Sequence, residues 1–536
     1  MRSSPAAPAY DAVVVGGGHN GLVCACYLAA GGLKVAVFER RAIVGGAAVT
    51  EEFHPGFRNS TASYTVSLLH PKVIRELRLE AHGLTIVERP LANFLPLSER
   101  ACLRVGGGLA ATQAEVARFS QKDAAALPGY YAMLERVADV VRELALETPP
   151  NVGGGLSDWL RAWNVGGRLR KITLAGRRDV LDLFTKSAGE VLDHWFESAP
   201  IKAAFGFDAV VGNFASPYTP GSAYVLLHHV FGEINGKRGA WGHALGGMGA
   251  ITQAMQKEAL ARGVEIFTAR PVERVAVRDG RATGVVLADG AEIAARRVVA
   301  NVNPKLLYLS MIDAAALDAD FRRRIEAYRC ASATFRMNVA LDAPPDFACL
   351  AGDGPHLRSG IIIAPSLGYM ERAYFDARRD GWSREPIVEM LVPSLIDPSL
   401  APAGKHVASL FCQHANPELP DGRSWDEAKG QVAELMLDTV NRFAPGFRAG
   451  VVAWKALSPL DLEREFGLVG GDIFHGALGL DQLFSARPLL GHGNYRGPIE
   501  GLYMCGSGTH PGGGVSGIPG HNAAREILRD ARRRMR

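Results

Sequence analysis

Three stretches of the chain alternate short apolar runs with glycine-rich breaks and longer helix-like runs. In the first, Tyr10 to Val15 is a strand pattern, GGGHNG follows, and LVCACYLAAGG reads as a helix before the second strand pattern KVAVFER. The second runs from His243 to Asn301. It predicts a helix over Thr252 to Arg262 closed by Gly263, a strand Val264 to Phe267, three strands turning at Asp279-Gly280 and Asp289-Gly290, and a last strand Arg297 to Ala300. In the third, the apolar run Gly501 to Cys505 precedes GSGTHPGGGVSGIPGHNAA, with seven glycines in its first fifteen residues, and a helix-like run Asn522 to Arg532. Each is a strand-to-turn-to-helix unit, so the fold class is α/β.

Size adds a second unit. At 536 residues, 48% of them hydrophobic, the chain exceeds one typical core. The net charge of +4 is small, and the basic clusters Arg168 to Lys171 and Arg532 to Arg536 are short, which argues against a nucleic-acid partner. Seven scattered cysteines suit reduced thiols and a cytoplasmic setting. Cys24 and Cys26 would lie about 200° apart around a helix, as buried small side chains rather than a dithiol. Ala12 to Leu33 carries no charge, but its glycines, His19 and Asn20 interrupt it, so it is read neither as a membrane span nor as a signal peptide.

The chemistry begins at Gly16, Gly18 and Gly21, which satisfy GxGxxG: a tight turn, a close approach to a pyrophosphate and a close helix-to-strand contact. Glu39 ends the second strand, where an acid accepts ribose hydroxyl hydrogens. Gly246, Gly247 and Gly249 lack a clean preceding strand and a following acid, so no separate NAD(P) domain is expected. One dinucleotide site is expected, so a redox cofactor held there would pass its electrons to oxygen, a quinone or another diffusible acceptor. The glycines after Cys505 keep a helix N-terminus open to a phosphate or another electron-rich group.

Taken together, DAVVVGGGHNGLVCACYLAAGGLKVAVFERR, GGMGAITQAM and LYMCGSGTHPGGGVSGIPGHNAA resemble the phytoene desaturase-like flavoproteins. GFRNSTASYTVSLLHP and GNFASPYTPGSAYVLLHH resemble the branch of that group labelled pyridine nucleotide-disulphide oxidoreductase domain-containing protein 2. The resemblance implies noncovalent FAD in a Rossmann-like domain assembled from residues 8–87, 243–303 and 489–536. It also implies an α+β substrate domain from 88–242 and 304–488. The cofactor contacts it implies are Gly16, Gly18, Gly21, Glu39, Arg40, Gly45, Gly46, Ala47, Val272, Gly506, Ser507, Gly513, Gly514 and Val515. The chain departs from the pattern at two places: Ala47 and Ala48 stand where an arginine often follows the second glycine pair, and Ser507 stands where relatives often have aspartate. A disulphide reductase would need a paired redox dithiol beside the flavin, and no such pair is visible.

The implied reaction is oxidation of a C–C bond to C=C on a lipophilic, polyene-like substrate, by hydride transfer to flavin with loss of a neighbouring proton. The cofactor carries the difficult step, which explains why no nucleophile or metal cluster stands out. His510, His243 and Trp241 are the candidates for the reaction chamber. His228-His229 reads as a packed pair and not a metal site, and His19 and Asn20 as fingerprint filler. Alternatives are a flavin oxidase of amines or other small molecules using oxygen, and an FAD-binding protein with a non-catalytic interaction role. Trp159 to Phe184 mixes tryptophan, leucine and arginine. The ordinary reading is an amphipathic helix packed on its own protein, with peripheral membrane contact as the alternative. Arg525 to Arg536 is read as a solvated terminal helix.

Overall fold

The computed structural model describes residues 9–330, 332 and 334–535; residues 8 and 536, the outer limits expected for the FAD domain, lie outside it. Five parallel strands form the first sheet: β1 (Ala12–Val15), β2 (Val35–Phe38), β3 (Glu265–Phe267), β4 (Val298–Ala300) and β5 (Leu502–Met504), in the order β3-β2-β1-β4-β5. β1, β2, β4 and β5 are buried along their whole length, as continuous apolar runs in a covered parallel sheet should be. Helices α1 (His19–Ala30), α2 (Gly249–Ala261) and α3 (Ile518–Met535) cover one face, packing Leu22, Cys24, Cys26, Met255 and Ile527 over it. α1 and α3 approach so closely that a Cβ at Gly520 would stand 2.2 Å from the Asn20 carbonyl oxygen. A three-stranded meander, Val272–Arg278, Arg281–Leu287 and Glu292–Ala294, lies on the other face.

A second sheet of seven strands draws on Asn93–Pro96, Cys102–Val105 and five strands between Thr334 and Leu457. It is antiparallel except where Gly360–Ile363 meets Asn93–Pro96. Alternation along the strands sorts its two faces. Val388, Met390, Leu410 and Cys412 pack under the helix Trp425–Phe443. Ile387 and Phe411 face a helical layer that includes Gln121–Ala145 and Ala199–Val210. Glu389 is paired directly with Phe411, and Phe411 with Arg336, so three neighbouring strands set these side chains in one row.

The stretch Trp159 to Phe184 forms two helices, Leu156–Lys171 and Leu174–Thr185. The first does not pack by its apolar face, as the sequence reading expected. It docks through charged residues: Arg161 meets Glu526 at 3.2 Å and Arg168 meets Glu147 at 2.9 Å. The terminal helix is likewise solvated on one side only, because Ala523, Ala524, Glu526 and Ile527 are buried. Among the described residues, no helix is long and apolar enough to cross a membrane.

Candidate active site

A cleft of about 1290 Å³, counting its open mouth, runs along the carboxyl ends of β1, β2 and β4. Gly16 leaves β1 with φ +96°, and a Cβ at Gly21 would stand 2.3 Å from the Gly16 carbonyl oxygen. Gly18 begins α1 without a side-chain cap, leaving the first-turn N–H groups free of side-chain acceptors. The Glu39 carboxylate is fixed on both oxygens, accepting from Gly17 N at 2.8 Å and from Arg41 N at 2.9 Å. Gly45 returns beside this turn and donates to the Gly17 carbonyl at 2.9 Å. Asn301, just past β4, is the wedge that joins the pieces. Its Nδ2 donates to the Gly16 carbonyl at 3.2 Å, and Cβ atoms built on Gly16 or Gly506 would stand 3.1 Å from it.

The late glycine stretch closes the cleft from β5. Asn20 Nδ2 donates to Ser507 Oγ at 3.1 Å. Behind the loop lies Arg487, fully buried. Its guanidinium donates to the carbonyls of Ser507, Phe474, Gly476, Ala477 and Gln482 at 2.7–3.4 Å. One cation thereby ties the loop after β5 to the segment 474–482.

A second cavity, about 1080 Å³ counting its open mouth, adjoins the cleft. His19, Ala47, Leu468, His475 and Ser507 line both spaces and form the neck between them. Burial lowers both imidazoles to about 4, so the neck carries no charge at neutral pH. Phe207, Val211, Trp241, Phe411, Ile473 and Phe474 make the chamber's apolar wall. Its polar wall holds Tyr64, Arg89, Asp208 and Glu389. Tyr64 donates its hydroxyl to Glu389, and the Arg336 guanidinium sits 4.5 Å from the centre of the Tyr64 ring. Burial raises the Glu389 carboxyl, opposed by the charges of Arg89 and Arg336 and by the Tyr64 bond. Asp208 differs. Burial, helped by Glu389, pushes its carboxyl up to about 8; the side chain, half-buried on the chamber wall, has no hydrogen-bond partner among the described residues.

Gly16, Gly18, Glu39, Arg40, Gly45, Gly46, Ala47, Val272 and Ser507 line the cleft, while Gly514, Val515 and Trp241 line the chamber together with Ala47 and Ser507. Gly21, Gly506 and Gly513 serve close packing behind these walls, against Gly16, Asn301 and Phe474. His510 is not brought to either space; its Nε2 lies 3.0 Å from the Leu144 carbonyl. His243 also points elsewhere, toward Asp397 at 3.4 Å, because its strand pairs with Ile86–Glu88 behind the chamber. His229 stacks on Trp241, with ring centres 6.0 Å apart. Sequence reasoning missed Asn301, His475, Arg487 and Asp208, and gave His19 no role at the neck. For Asn301 the available signal was a polar residue directly after the third buried parallel strand.

The residues present fit FAD. The cleft offers a glycine cradle at a helix N-terminus and an acid at the end of the second strand. It is also bordered by buried polar atoms without partners among the described residues: His19 Nε2, Asn20 Oδ1, His475 Nδ1 and Arg41 Nη1. Arg41 also brings a guanidinium to the cleft wall, where its Nη2 donates to Glu51 at 2.7 Å. Fold and site thus define an FAD-dependent oxidoreductase with a parallel-sheet dinucleotide unit beside a separate antiparallel sheet. The chain belongs to the flavin containing amine oxidoreductase family, whose model matches residues 21–355. It is 42% identical to pyridine nucleotide-disulfide oxidoreductase domain-containing protein 2 of Rattus norvegicus, over 98% of this chain and 94% of that protein. It is 26% identical to the phytoene desaturase (lycopene-forming) of Pseudescherichia vulneris, over 94% and 96% of the two chains. Among solved structures, a triple mutant of putrescine oxidase shares the fold with a TM-score of 0.61 at 16% identity, covering 98% of this chain and 99% of that one.

Proposed function

We propose that this protein dehydrogenates a lipophilic substrate that carries one polar, hydrogen-bonding group. The observation behind this reading is the two-sided chamber, an apolar aromatic wall facing Asp208, a half-buried carboxyl without a hydrogen-bond partner among the described residues. FAD, when bound, supplies a two-electron acceptor for a hydride. Gly16, Gly18, Glu39 and Arg41 would hold its dinucleotide portion, and Ser507 with Asn20 the part nearest the neck. The uncharged neck excludes competing ionic chemistry there, and the aromatic wall orients the substrate's apolar body. Glu389 is already engaged by Tyr64 and flanked by Arg89 and Arg336, so Asp208 is the group left to meet the substrate. Being protonated at neutral pH, Asp208 donates a hydrogen bond to a hydroxyl, a carbonyl or a neutral amine nitrogen. A pure hydrocarbon polyene would bury that carboxyl unpaired, at a cost of about 1–3 kcal/mol.

A second reading, oxidation of a compact amine with oxygen as acceptor, is supported by Trp241, Tyr64 and Phe411 standing beside two carboxyls, and by the fold shared with putrescine oxidase. Anaerobic mixing of the yellow holoprotein with a terpene hydrocarbon, its alcohol, its amine and a short diamine separates these readings. The proposal expects bleaching by the terpene alcohol or amine; bleaching by the diamine alone, with peroxide formed in air, establishes the second. Equal bleaching by the hydrocarbon, or none by any of the four, overturns the role given to Asp208.

A further inference from the structure

The helix Leu156–Lys171 wears its polarity inside out. On a 3.6-residue repeat Leu156, Trp159, Leu160 and Trp163 share one face, and their exposures are 78, 73, 59 and 76%. The opposite face carries Asp158, Arg161 and Arg168, and that face meets the protein. Besides the Arg161–Glu526 and Arg168–Glu147 pairs, Asp158 Oδ1 accepts from Asn151 N at 3.0 Å. A surface helix ordinarily buries its apolar stripe and shows its charges. Here ion pairs hold the helix so that two tryptophans and two leucines face outward.

The next helix continues the pattern. Leu174 and Leu181, seven residues apart and so on one face, are 62 and 61% exposed. Around these apolar side chains the unengaged charge is of one sign. Arg170, Arg177 and Arg178 are exposed and pair with no carboxylate among the described residues; Arg177 reaches only the backbone carbonyls of Ile172 and Arg170. The terminal helix, tied to this one through Glu526, adds exposed Arg532. Both acids of the helix Leu174–Thr185 are engaged, Asp179 by Arg136 and Asp182 by Lys186.

We propose that this surface docks on a lipid bilayer containing anionic headgroups, with Trp159 and Trp163 entering the interface and the arginines meeting the headgroup phosphates. Tryptophan and leucine on one face with arginine along its edge is the composition that lies in an interface. A second copy of the chain would bring the same unpaired arginines against each other, which charge disfavours.

Flotation of the FAD-loaded protein with vesicles of phosphatidylcholine, alone or mixed with phosphatidylglycerol, tests this. Co-flotation is expected with the mixed vesicles, accompanied by a blue shift of tryptophan emission and weakened by salt. The double variant Trp159→Ser/Trp163→Ser should lose at least about tenfold in vesicle affinity while keeping its FAD and the wild type's mass in solution. Arg170→Gln/Arg177→Gln/Arg178→Gln should lose the preference for phosphatidylglycerol. Failure of the FAD-loaded wild type to float with mixed vesicles overturns the proposal, as does unchanged flotation of either variant. A dimer by light scattering that the tryptophan variant alone dissolves assigns the face to a second copy instead.

Discussion

Asp208 concentrates the chemical question in one side chain. Its folded pKa of about 8 stands above the ordinary carboxylate value near 4, so between these pH values the folded chain binds more protons than the unfolded one. Asp208 therefore contributes a stability that falls as pH rises through that window and levels off above it. Asp208→Asn is expected to flatten this loss, measured by urea unfolding across the pH range. The same variant should remove an ionisation near pH 8 from the pH profile of flavin reduction and lower kcat/KM by roughly tenfold, the worth of one hydrogen bond. Gly21 allows a different check. A methyl there meets the Gly16 carbonyl oxygen at 2.3 Å and Asn301 Nδ2 at 2.9 Å. Gly21→Ala should cost about 1–3 kcal/mol of overpacking and weaken FAD binding roughly tenfold to a hundredfold by titration of the apoprotein.

Among the elements, α3 is held by a buried acid. Glu526 accepts from Thr148 at 2.8 Å and pairs with Arg161, Arg496 and Arg529. Glu526→Gln should cost about 2 kcal/mol, because part-exposed arginines lose their shared partner, and proteolysis should then cut first near Leu156–Lys171. The strands and helices of the dinucleotide domain were legible because periodicity and turn residues are local signals, as at Asp279-Gly280, where both residues take positive φ. Ends were less legible where distant residues set them. α2 begins at Gly249 and not at Thr252 because Thr50 Oγ1, in another segment, accepts from Gly249 N at 2.9 Å. In the site, the glycines and Glu39 stood out by spacing. Asp208 and His475 did not, since each is a lone polar residue set beside a group distant in the chain, Glu389 and His19, and Arg487 did not because its partners are backbone carbonyls, which carry no sequence signal. His510 misled for the same reason: it lies among the glycines of the cleft loop, yet its imidazole turns to the helix Gln121–Ala145.

For the whole molecule, the cofactor cleft is shared among segments that no short stretch of chain holds together, so the ligand should act as a clamp. Saturating FAD at about a hundred times its dissociation constant should add about 2.7 kcal/mol, seen as a higher Tm of the holoprotein than of the apoprotein in a thermal shift series. The strand order β3-β2-β1-β4-β5 also has a consequence in time. β1 ends at Val15, and the edge strand β5 ends at Met504. At typical synthesis rates of about 5–20 residues per second, roughly 25 to 100 seconds separate the emergence of the first nucleotide turn from that of the strand that completes its sheet. Once Ala300 has emerged, the nascent sheet has an open edge at β4 for the rest of that interval, and the loop carrying Ser507 does not yet exist. A ribosome that stalls shortly before residue 502 therefore leaves a long chain whose dinucleotide sheet can still be extended by a foreign strand, a natural client for chaperones and proteases.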